Sequence, residues 1–270
     1  MEILKAASAD SIELAQTRSF RQFRSRKGMV EPILLTAARA STYRGAQLLT
    51  TASGFFFERE GRLFLITSRH VVFDQPSAHF PDRVEIAVHT DSVDLTRVAN
   101  VSLPLYRNGL GLWRQGRDLG GEVDVAAIEI DRATLPRSVS LRSFGPDHLQ
   151  HSLAELEVGT ALQIVGFPLG FYDTLHQLPV VRQAAIASAF GVRFQGEGCF
   201  LTDARTHRGM SGAPVVVRTT GHQELPWKLL GVHSSRMDMK SRDQQVDDAL
   251  GLNVAWYADI LLMLTAPAPP

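Results

Sequence analysis

The chain has 270 residues, with 28 Lys plus Arg balanced by 28 Asp plus Glu, and a single cysteine, Cys199. That length allows one large domain or two small barrels with a substantial core. The balanced charge excludes the global field that nucleic-acid and anionic-membrane binders carry, and one cysteine excludes an internal disulfide. A protein or peptide partner is therefore expected, with no nucleic acid and no membrane. The first residues, Met1-Glu2-Ile3-Leu4-Lys5-Ala6, lack a charged region followed by an apolar stretch of about 7–15 residues, as a secretory signal requires. The apolar run at 260–264 is far short of the ~20 residues that cross a bilayer. A cytoplasmic protein is expected, with Cys199 a buried core thiol.

In chain order, residues 1–30 read as a polar, basic helical extension, with Arg18, Arg21, Arg24, Arg26 and Lys27 gathered before Gly28. From Ile33 the texture changes to short β-prone runs between turn residues, which predicts an all-β barrel or sandwich. Residues 52–57 and 62–67, separated by the turn 58–61, predict a hairpin that delivers His70 at its end. Further strands are expected at 83–89, 98–103 and 123–130, with a loop at 107–121. Residues 131–158 are poor in strand signals and read as a linker. A second set is expected at 161–166, 180–190, 198–203, 214–219 and 228–233, followed by a helix over 254–265 from its apolar spacing. The domain reading is thus 31–145 for a first barrel and 146–270 for a second barrel with a C-terminal helix.

The run Gly209-Met210-Ser211-Gly212-Ala213-Pro214 leads straight into Val215-Val216-Val217, and a Ser set between glycines suits a nucleophile facing an oxyanion hole. Serine is a weak nucleophile alone, so it needs a base in hydrogen-bond reach and a third group to hold that base. His70, after the run Leu63-Phe64-Leu65-Ile66-Thr67, and Asp124, opening Asp124-Val125-Ala126, fit those roles. The backbone N–H groups of Gly209 and Ser211 would supply the oxyanion donors. Each element alone is compatible with an ordinary turn or strand end; their joint occurrence in the order His, Asp, Ser selects among folds that share this chemistry. The α/β-hydrolase order fails because Ala213 stands where Gly is needed and no Asp lies between Ser211 and His222 or His233.

Several motifs carry a family resemblance: Ser53-Gly54-Phe55-Phe56, Thr67-Ser68-Arg69-His70-Val71-Val72, Asp124-Val125-Ala126, Gly166-Phe167-Pro168-Leu169-Gly170, Thr202-Asp203-Ala204 and Gly209-Met210-Ser211-Gly212. Over roughly residues 45–260 the chain resembles bacterial trypsin-like serine peptidases of the chymotrypsin fold, in texture the Deg-type proteases and the glutamyl endopeptidases. The resemblance implies two six-stranded antiparallel β-barrels, with His70 as base, Asp124 as orienting acid and Ser211 as nucleophile. Met210 stands where the digestive branch has an Asp, so activation by N-terminal trimming is not expected.

The same resemblance implies a substrate pocket. In glutamyl endopeptidases a His on the strand after the nucleophile and a Thr five residues before it bind the substrate carboxylate; His233 and Thr206 occupy the matching positions. Their donors suit a carboxylate, which predicts cleavage after Glu or Asp. Arg205 or Arg208 would add positive charge, and the segment from Ser234 would pair with the substrate as an added strand. His148 and His151 lack the further ligands of a metal site, and no phosphate loop is present, so no metal and no other cofactor is expected. A regulatory protein partner is expected for such an enzyme, with the basic extension, loop 107–121 and residues 237–248 as contact candidates. The reading from another class is a catalytically silent peptide-binding module on the same fold.

Overall fold

The structure, a computed structural model, describes residues 30–150, 156–220, 224–236 and 251–267. The basic segment 8–27, His151 and the polar stretch 237–248 lie outside the described residues. Among the described residues no helix is long and apolar enough to cross a membrane.

The first half opens with a 3-10 turn, Pro32–Leu35, and three strands, β1 (Ala37–Arg44), β2 (Gln47–Arg59) and β3 (Arg62–Thr67). The β2–β3 hairpin turns at Glu60 and Gly61, both with positive φ, the pair of left-handed residues that a two-residue hairpin turn demands. A single helical turn, α1 (Arg69–Val72), then carries His70. Strands β4 (Arg83–His89), β5 (Val98–Pro104), β6 (Tyr106–Arg107), β7 (Leu110–Gly111), β8 (Trp113–Asp118) and β9 (Gly121–Ile130) follow.

The expected six-stranded first barrel is corrected to a seven-stranded sheet in the order β5-β4-β1-β2-β3-β9-β8. The segment 107–121 is not a plain loop. After β5 the chain folds into the β6–β7 hairpin, which pairs with itself, and then adds β8 to the outer edge of β9. Edge strand β5 consequently pairs with β4 and not with β8.

The second half contains β10 (Ala161–Gly166), β11 (Val180–Ile186), β12 (Cys199–Asp203), β13 (Pro214–Arg218), β14 (Trp227–Arg236) and β15 (Leu252–Tyr257). These six close into a barrel in the order β10-β11-β12-β15-β14-β13. The helix expected over 254–265 is also corrected. Residues 252–257 are β15, the strand that closes the barrel between β12 and β14, and only α2 (Ile260–Leu264) is helical. Apolar spacing misled here because Val254 and Leu261 join the same core from a strand and from a helix. Arg59, Arg62 and Arg114 donate to the carbonyls of Leu262, Leu264 and Ala266, holding the end of α2 against the sheet.

Strand alternation explains the uninterrupted apolar runs. Phe56, Leu63 and Leu65 point into the core of the sheet, while Phe55, Phe57, Phe64 and Ile66 point the other way. The second set meets Val165, Val216, Leu229 and Val232 of the barrel in one shared core. Both faces of β2 and β3 are therefore buried. This packing seats the end of β3, and hence His70, against the barrel.

Candidate active site

Local backbone irregularities aim each polar side chain of the site. In the pairing of β8 with β9, Gln115 faces Ala126 and Gly116 faces Val123, so Asp124 and Val125 form a bulge. A bulge re-aims a side chain that regular pleating would direct elsewhere. Across β3, Thr67 pairs with Ala126, which brings the start of α1 beside Asp124. The Asp124 carboxylate accepts from the His70 backbone N–H at 2.9 Å and contacts His70 Nδ1 at 2.7 Å. It also accepts from the Ser234 hydroxyl. Ser234 likewise sits where the β14–β15 register shifts, between His233 and Arg236.

Burial alone pushes the His70 pKa down, but the hydrogen bond and charge of Asp124 outweigh it and leave the pKa above the usual histidine value. Burial raises the Asp124 pKa, yet the bonds from His70 and Ser234 hold it below the usual carboxylate value. Such a pair keeps a proton on Nδ1 and leaves Nε2 as the basic nitrogen.

The loop after β12 carries Ser211. Met210, fully buried in the barrel core, anchors the turn between two glycines in the left-handed region, Gly209 (φ +92°) and Gly212 (φ +85°). A Cβ on Gly209 would lie 2.4 Å from the Phe167 carbonyl oxygen, and one on Gly212 would lie 2.3 Å from the Ser53 carbonyl oxygen. Gly212→Ala is therefore expected to cost on the order of 3 kcal/mol, because both the backbone conformation and the contact are unfavourable. Urea unfolding checks this, and a loss within about 0.5 kcal/mol would contradict it.

The N–H groups of Gly209 and Ser211 donate to no other described residue, whereas those of Met210, Gly212 and Ala213 bond to His207, His233 and Met210. The Ser211 hydroxyl donates to the Ser234 carbonyl at 2.9 Å; among the described residues none joins it to His70. His70 and Ser211 nonetheless line one cleft of about 520 Å³, together with Thr51, Asp74, Arg208 and Gly209. A change of Ser211 χ1 between staggered positions is the motion available for moving the hydroxyl off Ser234.

The expected pocket residues are placed unevenly. His233 is 2% exposed, its Nδ1 has no partner, and burial followed by the charge of His70 lowers its pKa to about 4. The buried Thr206 hydroxyl donates to Asn253 Oδ1, and Asn253 Nδ2 in turn bonds the Ala204 carbonyl at 2.7 Å. Arg205 is exposed and does not line the cleft; its carbonyl accepts from Arg182. Cys199 is buried, with burial pushing its pKa up to about 11.

Of the two arginines expected to bring positive charge to the pocket, Arg208 lines the cleft. Sequence reasoning assigned no role to Ser234 toward Asp124, to Asn253, or to the buried hydroxyls of Ser53, Thr67 and Ser68. The last two offered a signal: Thr67 closes the apolar strand β3 and Ser68 follows it directly, and both are fully buried. Thr67 Oγ1 donates to the Ser53 carbonyl at 2.8 Å and Ser68 Oγ to the His233 carbonyl at 3.2 Å.

A family model for the trypsin-like peptidase domain matches residues 52–222, which include His70, Asp124 and Ser211. The chain belongs to that family. It carries a trypsin-like peptidase domain. Among solved structures it is similar to the serine endoprotease from Yersinia pestis, at 16% identity and a TM-score of 0.52, covering 87% of this chain and 63% of that one. This chain therefore spans less than two thirds of that protein, and the likeness supports a chymotrypsin-like fold. An inactive mutant of Rv3671c from M. tuberculosis H37Rv is also similar, at 15% identity and a TM-score of 0.46, over 91% of this chain and 97% of that one. No curated protein sequence matches the chain.

Proposed function

We propose that this peptidase cleaves protein substrates through Ser211, His70 and Asp124 by way of an acyl-enzyme. The carrying observation is the pairing of His70 Nδ1 with a half-buried, ionised Asp124, on a histidine that shares one cleft with Ser211 and Gly209, whose N–H groups are free among the described residues. Ser211 Oγ attacks the scissile carbonyl carbon as its proton passes to His70 Nε2. The resulting oxyanion accepts from the Gly209 and Ser211 N–H groups. His70 then gives that proton to the departing amine, leaving an ester on Ser211. Water, deprotonated by the same nitrogen, hydrolyses the ester and restores the serine.

The hydroxyl held on the Ser234 carbonyl describes a resting arrangement from which Ser211 turns toward His70. For the acidic substrate preference, the supporting feature is His233 Nδ1, a buried nitrogen without a partner. Thr206 already serves Asn253, so it reaches a substrate carboxylate only by giving up that bond. Leaving such groups unpaired is what makes a polar pocket selective.

A fluorophosphonate probe read by mass spectrometry, beside Ser211→Ala and a proteome-derived peptide library, tests the proposal. Labelling confined to Ser211, with cleavage after Glu or Asp, is the expected result. Cleavage after other residues retires the acidic preference while keeping the nucleophile. Folded protein that neither labels nor cleaves overturns the mechanism in favour of the silent peptide-binding module.

A further inference from the structure

We infer that Ser53 is a positioning residue for the oxyanion hole, supplied by the sheet to the nucleophile turn of the barrel; this rests on the catalytic reading above. Ser53 lies in β2, is fully buried and belongs to a motif with no role in the chemistry so far. Its hydroxyl donates to the Gly209 carbonyl at 2.7 Å and accepts from the Phe167 N–H at 3.0 Å. One side chain therefore satisfies two buried main-chain groups that belong to different segments of the barrel.

Those two bonds bracket Gly209. Directly, the hydroxyl fixes the carbonyl on the C-terminal side of this residue. Through Phe167 it holds the entry to the turn at residues 167–171, where Leu169 adopts φ +54° and donates its N–H to the Arg208 carbonyl. A trans peptide is planar, so holding the Arg208 carbonyl points the Gly209 N–H the opposite way. Both peptides flanking Gly209 are thus oriented, and its N–H is left free. The backbone of Ser53 adds a bond from its N–H to the Ser211 carbonyl at 3.0 Å, which survives any side-chain change.

Room for the hydroxyl is made by Gly166, where a Cβ would lie 2.5 Å from Ser53 Oγ. This accounts for glycine at that position, whose φ is not among the positive values. The sheet and the barrel meet at this hydroxyl, so docking of the two halves and alignment of the oxyanion donor are one event.

The test compares wild type, Ser53→Ala and Ser53→Cys; the thiol keeps nearly the same shape but is a weak hydrogen-bond donor. In both variants kcat is expected to fall roughly tenfold to a hundredfold, short of the loss seen when a donor is deleted outright, while KM stays within about twofold. Affinity for a peptide aldehyde, whose hemiacetal oxygen occupies the hole, should fall by the same factor as kcat. Gly166→Ala should lower kcat at least as far, because its Cβ would meet the Ser53 hydroxyl and also press on Met210 Sδ at 3.1 Å and Ala213 Cβ at 3.2 Å. An unchanged kcat, a loss confined to KM, or a Ser53→Cys enzyme as fast as wild type overturns the inference. Wild-type protein that fails to label at Ser211 overturns the catalytic reading instead, so the two failures are distinguishable.

Discussion

Asp124→Asn is expected to lower kcat by about 10⁴-fold while leaving the fold in place. The carboxylate accepts three hydrogen bonds, from the His70 backbone, His70 Nδ1 and the Ser234 hydroxyl, and an amide has one oxygen and one nitrogen to put in their place. With its nitrogen toward Nδ1, Asn forces the proton onto Nε2, which then cannot receive the Ser211 proton. With its oxygen there, a buried donor faces another donor. The pH dependence should change as well. His70 must be neutral to act as base, and Asp124 raises its pKa above the usual 6.5, so the wild-type acid limb of kcat/KM should lie above that value. Without the carboxylate, burial is opposed only by the lesser influence of the Asp74 charge, and the limb should move to lower pH. A pH–rate profile of both proteins checks each point; activity within tenfold of wild type would remove Asp124 from the mechanism.

The second large effect concerns acid stability. His233 has a pKa of about 4 when folded and an ordinary value near 6.5 when unfolded. Between those values the unfolded chain binds a proton that the native site refuses, so stability is full above pH 6.5 and falls as pH drops toward 4. The loss amounts to about 3 kcal/mol at 1.36 kcal/mol per pH unit. His233→Phe, which cannot titrate, should abolish that slope whatever it does to stability at pH 7. Urea unfolding of both proteins at pH 7 and pH 4 measures it. Equal pH dependence in the two would show that His233 takes up its proton in the native state.

Much of the strand inventory was legible in the sequence because short apolar runs between turn residues have few other ways to bury themselves. β4 and β10 run from Arg83 to His89 and from Ala161 to Gly166, the expected bounds. The Glu60-Gly61 turn was legible for the same local reason, since a tight hairpin needs left-handed residues. β8 escaped notice because its alternation is interrupted by Arg114, Arg117 and Gly116, and it becomes a strand only through its pairing with β9. β15 was misread because its apolar spacing also fits a helix, and only the vacant position between β12 and β14 decides for a strand.

By itself the sequence determined the chemical types and their order: a histidine after an apolar strand, an aspartate opening another, and a serine between glycines that hold φ values other residues resist. Those are local properties of covalent structure and backbone sterics. Tertiary structure alone decided the rest. The contact of Asp124 with His70 that the bulge allows, the Ser234 hydroxyl on that carboxylate, the resting bond of Ser211 and the Ser53 brace all join residues 23 to 156 positions apart. A hydroxyl in a sequence carries no sign of the carbonyl it will meet. That partner is set only when two apolar faces close over each other and every buried donor and acceptor inside must be satisfied.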